Sequence, residues 1–234
     1  MASPSVASSR SRNTAPALDS EDVVMARAIQ LSEWARRNAR VVIGIAMLAI
    51  VAVGAYLFYG YQKRQSEERA SIAFMTVERT ALSGNATLAQ RDLQDFIRRF
   101  DGTVQADQAR LLLAKVHLDA GKAKDAVTVL QGVKEGPGTP VGAQGAMLLG
   151  AAQNQSGNRQ AAVDSYLRVA DAAELEYLQE AALGEAAILR QQGGDFAGAA
   201  ELFRRLRDMT EEGSFERSLY EMRLAEAEGR ALAK

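Results

Sequence analysis

The chain has 234 residues, a formal net charge of −1 and no cysteine, and 47% of its residues are hydrophobic. A nearly neutral chain lacks the basic surface on which nucleic acid binding depends, so nucleic acid is not an expected partner. Without cysteine there is no disulfide, cysteine nucleophile or cysteine metal site, while the apolar content is sufficient for a hydrophobic core.

The N-terminal segment divides into an arm and a short helix. Residues 1–20 are rich in serine and alanine and show no apolar period, which predicts a disordered arm. Asp19 and Ser20 can cap a helix that carries Glu21 and Asp22 in its first turn. We therefore predict a juxtamembrane helix over residues 21–40.

The next segment is an uncharged run of 21 residues, 41–61, with the sequence VVIGIAMLAIVAVGAYLFYGY. A helix that rises about 1.5 Å per residue crosses a hydrocarbon core of roughly 30 Å over this length. Trp34 precedes the run and tyrosines close it, as is typical of the two headgroup regions. The run predicts an uncleaved transmembrane helix that continues into the next helix. A buried core helix fits less well, as does a cleaved signal peptide, whose apolar stretch is usually shorter.

Basic residues flank the apolar run on both sides, so the local charge count does not decide its orientation. Arg10 and Arg12 bring the basic residues before the run to six. The positive-inside rule then predicts a cytoplasmic N-terminus and a domain 62–234 on the other side of the membrane.

Domain 62–234 contains four glycines spaced 36 or 37 residues apart. Each glycine is followed five residues later by an alanine and nine residues later by a large apolar residue. A period of this length indicates stacked helix-turn-helix units that bury their apolar faces against each other. The glycines are Gly84, Gly121, Gly157 and Gly194, the alanines Ala89, Ala126, Ala162 and Ala199, and the large residues Leu93, Leu130, Tyr166 and Phe203. The predicted helix pairs are 66–83 with 86–100, 104–120 with 123–134, 141–156 with 159–172, and 175–192 with 196–209.

A final amphipathic helix is predicted over residues 215–232. Its side chains Leu219, Met222 and Leu224 are expected to face the array and cap its open end. The predicted fold class is therefore all-α: one transmembrane helix, then about four helix pairs in a solenoid, then a capping helix.

The best-conforming unit contains Leu149, Gly150, Gly157, Ala162 and Tyr166. In this arrangement the residues resemble tetratricopeptide repeats, which have a Leu-Gly pair in the first helix, a turn glycine, and then alanine and an aromatic residue in the second. The period exceeds the family's length of about 34 residues, which implies longer turns between pairs.

The layout as a whole, with segments such as 34–45 and 70–89, is similar to a bacterial family of single-pass inner-membrane proteins that includes the ancillary subunit of the Sec translocon. This resemblance implies a cytoplasmic N-terminus, a periplasmic repeat domain, and protein partners such as the translocon, chaperones or secreted polypeptides. The alternative is a structural accessory subunit of a larger membrane or envelope complex.

In the tetratricopeptide family the first helix of each pair lines the concave groove. The resemblance implies a groove lined by Gln108, Leu111, Lys115, Met147, Asn154, Gln155, Ile188, Gln191 and Gln192. Leu111 stands where arrays that clamp acidic C-terminal tails carry a lysine, so a carboxylate clamp is disfavoured. The mixed lining suits an apolar helix or an extended peptide. A groove partly filled by the C-terminal helix is equally compatible with the sequence.

The sequence offers little for catalysis. His117 is the single histidine, and neither a cysteine nor a second histidine accompanies it. Adjacent acid pairs such as Glu67 and Glu68 point to different sides of a helix, and the glycine-rich run near Gly136 lacks the lysine of a phosphate loop. We expect no enzymatic activity, no cofactor, no metal and no small-molecule substrate.

Overall fold

The computed structural model describes residues 38–233, and these residues are helical with short connections. The predicted arm, residues 1–20, and residues 21–37 of the predicted juxtamembrane helix lie outside the described residues. The chain divides into two units, Met1–Tyr61 and Gln62–Lys234. The described helices are α1 (Ala39–Leu82), α2 (Ala86–Arg99), α3 (Val104–Asp119), α4 (Ala123–Leu130), α5 (Pro140–Gln155), α6 (Arg159–Ala172), α7 (Glu176–Gln192), α8 (Phe196–Met209) and α9 (Phe215–Leu232).

Helix α1 contains the predicted transmembrane segment, residues 41–61, and extends to Leu82. Taken alone, the described residues include no helix that is long and apolar enough to cross a membrane. The structure does not describe the side chains of three residues of the predicted segment, Val42, Ile45 and Ala46.

The four repeated glycines form the turns between paired helices, as predicted. All four have φ between +72° and +90°, a left-handed conformation that glycine adopts without steric cost. Three of these turns lead directly to a capping side chain, because Asn85, Asn158 and Asp195 each accept a hydrogen bond from the backbone N–H three residues later. The turns between paired helices therefore lie where the glycine period places them.

The residues that follow each glycine form the core, which confirms the repeat register. The four alanines are at most 1% exposed, and the four large residues are at most 4% exposed. Helices α5 and α6 approach closely at Gly150, where an added Cβ atom would lie 2.8 Å from the ring of Tyr166. The small residue of the first helix thus accommodates the aromatic residue of the second.

Helix α4 is shorter than predicted, since it ends at Leu130 instead of residue 134. The buried carboxylate of Asp107 explains the difference, because its Oδ2 accepts hydrogen bonds from the backbone N–H groups of Lys134 and Glu135, both at 2.9 Å. These two residues are therefore held against α3 instead of continuing α4. A pattern of helix propensity does not reveal this interaction, which joins residues 27 and 28 positions apart.

Asp107 belongs to a set of charged side chains, here called the Asp107 network, that consists of Asp101, Asp107, Arg110 and Lys134. Arg110 donates from Nη1 to Asp107 Oδ1 at 2.8 Å and from Nη2 to Asp101 Oδ1 at 2.6 Å. Lys134 Nζ donates to Asp101 Oδ2 at 2.7 Å. The network joins the start of α3 to the connection after α4.

Because Asp101 belongs to this network, the stability of the fold is expected to depend on pH in the acidic range. Hydrogen bonds from Lys134 and then Arg110 lower the pKa of Asp101 from 3.8 to about 2. A carboxyl group whose pKa is lowered by folding stabilises the fold above its unfolded pKa, and that contribution disappears as pH falls through the folded value. Between about pH 4 and pH 2, the free energy of unfolding is expected to fall more steeply in the parent protein than in Asp101→Asn. Urea denaturation over this range measures both slopes, and parallel slopes would contradict the assignment.

The C-terminal helix α9 packs on the last helix pair with Leu224 buried, as predicted, but the predicted face is only partly correct. Leu224 and Ala227 are buried, and Tyr220 packs against the same cluster. Leu219 lies at the edge of this face, whereas Met222 is 60% exposed, so its predicted position toward the array is wrong. Positions 220, 224 and 227 follow the spacing of one helix face, and position 222 lies on the opposite side.

Candidate functional site

A cavity of about 580 Å³, here called the central groove, is lined mainly by the first helices of three successive pairs, α3, α5 and α7. Its apolar residues lie between three polar side chains, Lys115, Gln144 and Glu185. The apolar residues of the central groove are Leu111, Met147, Leu148, Ala151, Tyr166 and Leu178. The groove therefore offers an apolar surface with one cation and one anion.

Tyr166 comes from the second helix of its pair and reaches the central groove across Gly150. Its side chain is almost entirely buried, and burial, with a smaller contribution from the Glu185 carboxylate, raises the pKa of Tyr166 to about 12. The phenol is therefore protonated at neutral pH and retains its hydrogen-bond donor.

A second cavity of about 560 Å³, here called the terminal groove, is lined by α7, α9 and Phe203 of α8. A hydrogen bond joins α9 to α7 beside this cavity: the Tyr220 hydroxyl donates to Glu180 Oε1 at 2.7 Å. The C-terminal helix thus occupies part of the face that α7 would otherwise present, as in the second interpretation of the sequence. The terminal groove is lined by Gly184, Ile188, Gln191, Gln192, Phe203, Leu219, Tyr220, Arg223 and Arg230.

The structure divides the predicted groove residues between the two cavities. Leu111, Lys115 and Met147 line the central groove, whereas Ile188, Gln191 and Gln192 line the terminal groove. Neither cavity is lined by Gln108, Asn154 or Gln155. Leu111 is only 8% exposed and also belongs to the core between α3, α4 and α5.

Six residues of the central groove were not predicted, although helical spacing was sufficient to find three of them. Gln144 and Ala151 stand three residues before and four residues after Met147, and Glu185 stands three residues before Ile188. Residues at these separations share a helix face. Tyr166 was interpreted only as a packing residue, because its access to the groove depends on the absence of a side chain at Gly150.

His117 lies in neither groove and is 5% exposed. Burial lowers its pKa, a nearby Asp125 raises it by less, and the imidazole is therefore neutral at pH 7. Within residues 38–233, no group of three or more histidine or acidic side chains is arranged to hold a metal ion.

Comparison with known proteins agrees with the helical architecture. Residues 32–138 match a family described as a tetratricopeptide repeat-like domain. No curated protein matches the sequence significantly.

Solved structures with 17 to 19% sequence identity share the fold. One is a putative kinesin light chain from Podospora anserina with nearly identical TPR-like repeats, at 17% identity and a TM-score of 0.55, covering 72% of this chain and 89% of that one. Another is the MamA protein, at 19% identity and a TM-score of 0.51, covering 70% and 88%. Similarity at this level establishes the fold but does not assign a function.

The repeat register, the turn glycines, the family match and the structural similarities agree with one another. Arrays of this kind present extended surfaces to other proteins, so the fold is that of a protein-interaction scaffold. Residues 32–138 match the tetratricopeptide repeat-like domain family, and the described helices have the fold of tetratricopeptide repeat proteins.

Proposed function

We propose that this protein is a membrane-anchored scaffold whose central groove binds an apolar segment of another protein outside the cytoplasm. The observation that carries the proposal is the composition of that groove, an apolar lining between Lys115 and Glu185. Apolar grooves of this kind accept an amphipathic helix or an extended peptide, and Met147 can adapt to different side-chain shapes. The two opposite charges would select the direction in which the segment lies.

The proposed anchor is the uncharged run of residues 41–61. In this part of α1, Met47, Leu48 and Ile50 are between 65% and 73% exposed. A helix that presents large apolar side chains in successive directions is suited to a lipid environment. The family match begins at residue 32 and therefore includes this run as well as the first repeats.

The proposed location is the bacterial inner membrane, with the N-terminus in the cytoplasm and the repeat domain in the periplasm. The six basic residues before residue 41 and the resemblance of the layout support this orientation. Protease added to the outer face of intact membranes is expected to digest the repeat domain. Protection of that domain would reverse the proposed topology.

The proposed partners are chaperones or secreted polypeptides close to a translocon.

A second candidate function, a fixed accessory subunit of an envelope complex, is favoured by one observation. Phe215 and Met222 of α9 are 78% and 60% exposed and stand seven residues apart, so they share one helix face. Such a face would suit a permanent contact with another subunit.

The proposal is tested by crosslinking in native membranes, with a photoreactive amino acid at Gln144, an exposed residue of the central groove. Crosslinks to secreted polypeptides, chaperones or the translocon would support a transient scaffold. A stoichiometric complex that survives detergent, with one constant crosslink, would instead support the fixed subunit.

Replacing Ala151 by glutamate is expected to block the central groove, because Ala151 is exposed and lines it. Burying a carboxylate under an apolar segment costs several kcal/mol, so crosslinking yield from Gln144 is expected to fall at least about tenfold. Ala197→Glu introduces the same side chain at an exposed position of α8 outside both grooves and is expected to leave the yield unchanged. Equal yields in both variants would exclude the central groove as the binding surface.

A further inference from the structure

A third cavity, of about 320 Å³, lies between the part of α1 that follows the apolar run and the end of α2. Its residues are polar or basic except for one ring. This Arg69–Arg99 pocket is lined by Gln62, Gln65, Ser66, Arg69, Arg99 and Phe100. It is separate from both grooves, and the proposed scaffold function does not use it.

Both arginines are held by neighbours that leave their positive charge in place. Arg69 donates from Nη2 to the Gln65 side-chain oxygen at 3.3 Å, and that amide is neutral. The guanidinium of Arg99 lies over the ring of Phe100, 5.2 Å from its centroid. Amide and aromatic partners orient a guanidinium without neutralising it.

The acidic residues near the pocket do not line it. Glu67 is 3.9 Å from Lys63, and Asp95 pairs with Arg98, the residue next to Arg99. Within residues 38–233, no carboxylate forms an ion pair with Arg69 or Arg99. The pocket therefore concentrates two positive charges beside the Ser66 hydroxyl and two side-chain amides.

We propose that the Arg69–Arg99 pocket binds a phosphate group. Two guanidinium groups present several N–H donors in planar arrays that match phosphate oxygens, and a hydroxyl and amides can donate further hydrogen bonds. The phosphate can come from a lipid headgroup or from a free phosphate. Gln62 follows the uncharged run 41–61 directly in the sequence, so a lipid source rests on the proposed membrane anchor.

The site is tested with the full chain in a non-ionic detergent, by titrating inorganic phosphate at constant ionic strength and recording binding calorimetrically. The double variant Arg69→Gln/Arg99→Gln is expected to bind phosphate at least about tenfold more weakly than the parent protein, because it loses both charged donors. Each single variant is expected to lose part of the affinity. Both side chains are exposed, so the substitutions leave the core unchanged.

The matched control is Arg79→Gln/Arg91→Gln, which removes the same charge from the same two helices outside the pocket. Its phosphate affinity is expected to equal that of the parent. Equal losses in the two double variants, or no saturable phosphate binding by the parent, would overturn the proposal.

A second arm identifies the source by adding phosphatidylglycerol to the detergent micelles, with phosphatidylcholine as the zwitterionic comparison. Displacement of inorganic phosphate by phosphatidylglycerol at a lower concentration than by phosphatidylcholine would support a site for anionic lipid headgroups. Phosphate binding that neither lipid affects would support a site for free phosphate. Both results uphold the pocket, and neither depends on the occupant of the central groove.

Discussion

Replacing Asp107 by alanine is expected to lower the free energy of unfolding by about 3 to 5 kcal/mol, the usual effect of removing one partner of a buried ion pair. Asp107 is 2% exposed and accepts hydrogen bonds from Arg110 and from the backbone N–H groups of Lys134 and Glu135. The alanine variant leaves these donors without their acceptor. Urea denaturation at neutral pH, monitored by circular dichroism, measures the loss.

The matched control for Asp107→Ala is Asp95→Ala. Asp95 forms an ion pair with Arg98 at the same i,i+3 separation as Asp107 with Arg110. The side chains of Asp95 and Arg98, however, are both largely exposed. An exposed pair contributes at most about 1 kcal/mol, so this variant is expected to remain close to the parent. If both variants lost the same stability, the Asp107 network would have no special role in holding the connection after α4.

Asp107→Asn separates the hydrogen bonds of this carboxylate from its charge. The amide can keep one oxygen acceptor, but its NH₂ group would face either Arg110 or the two backbone N–H groups. Its loss of stability is therefore expected to be smaller than that of alanine. A loss as large as that of alanine would show that the charge on Asp107 dominates.

The repeat helices could be predicted because every local feature of their sequence agrees with the same structure. Each turn glycine has the positive φ that its position requires, and the alanine five residues later is buried. Glycine at the end of a helix and apolar residues at helical spacing are short-range features, so they are visible in one sequence.

The early end of α4 could not be predicted, because it depends on Asp107 accepting hydrogen bonds from a distant part of the chain. Gly132, a poor helix former, weakens the helix just after Leu130, and the contact with Asp107 then holds Lys134 and Glu135 against α3. The prediction for Met222 was wrong for a simpler reason. The apolar residues of α9 can be grouped into two helix faces, and the face that packs is the one with Leu224 and Ala227.

The groove could be predicted only in part. The central groove combines one face of three helices with Tyr166, which reaches it over Gly150. The terminal groove depends on where α9 packs, and the sequence left that alternative open. The nine predicted residues therefore came from a correct repeat register but an incomplete description of how helices pack around the groove.

Replacing Ala162 by phenylalanine tests the repeat register itself. Ala162 is 0% exposed and lies in the core cluster formed by α5 to α9. An aromatic ring at this position must displace neighbouring side chains, which is expected to cost about 1 to 3 kcal/mol of unfolding free energy. Thermal unfolding of the full chain measures this loss as a lower transition temperature.

The same substitution at Ala197 provides the control for Ala162→Phe. Ala197 is exposed near the start of α8, so an added ring there meets solvent instead of a packed helix, and the transition temperature is expected to change little. Both variants lose alanine's helix propensity to a similar extent, which leaves packing as the difference between them. A transition temperature for Ala162→Phe equal to that of the parent would mean that the alanine five residues after Gly157 is not at a close helix contact, contrary to the repeat register.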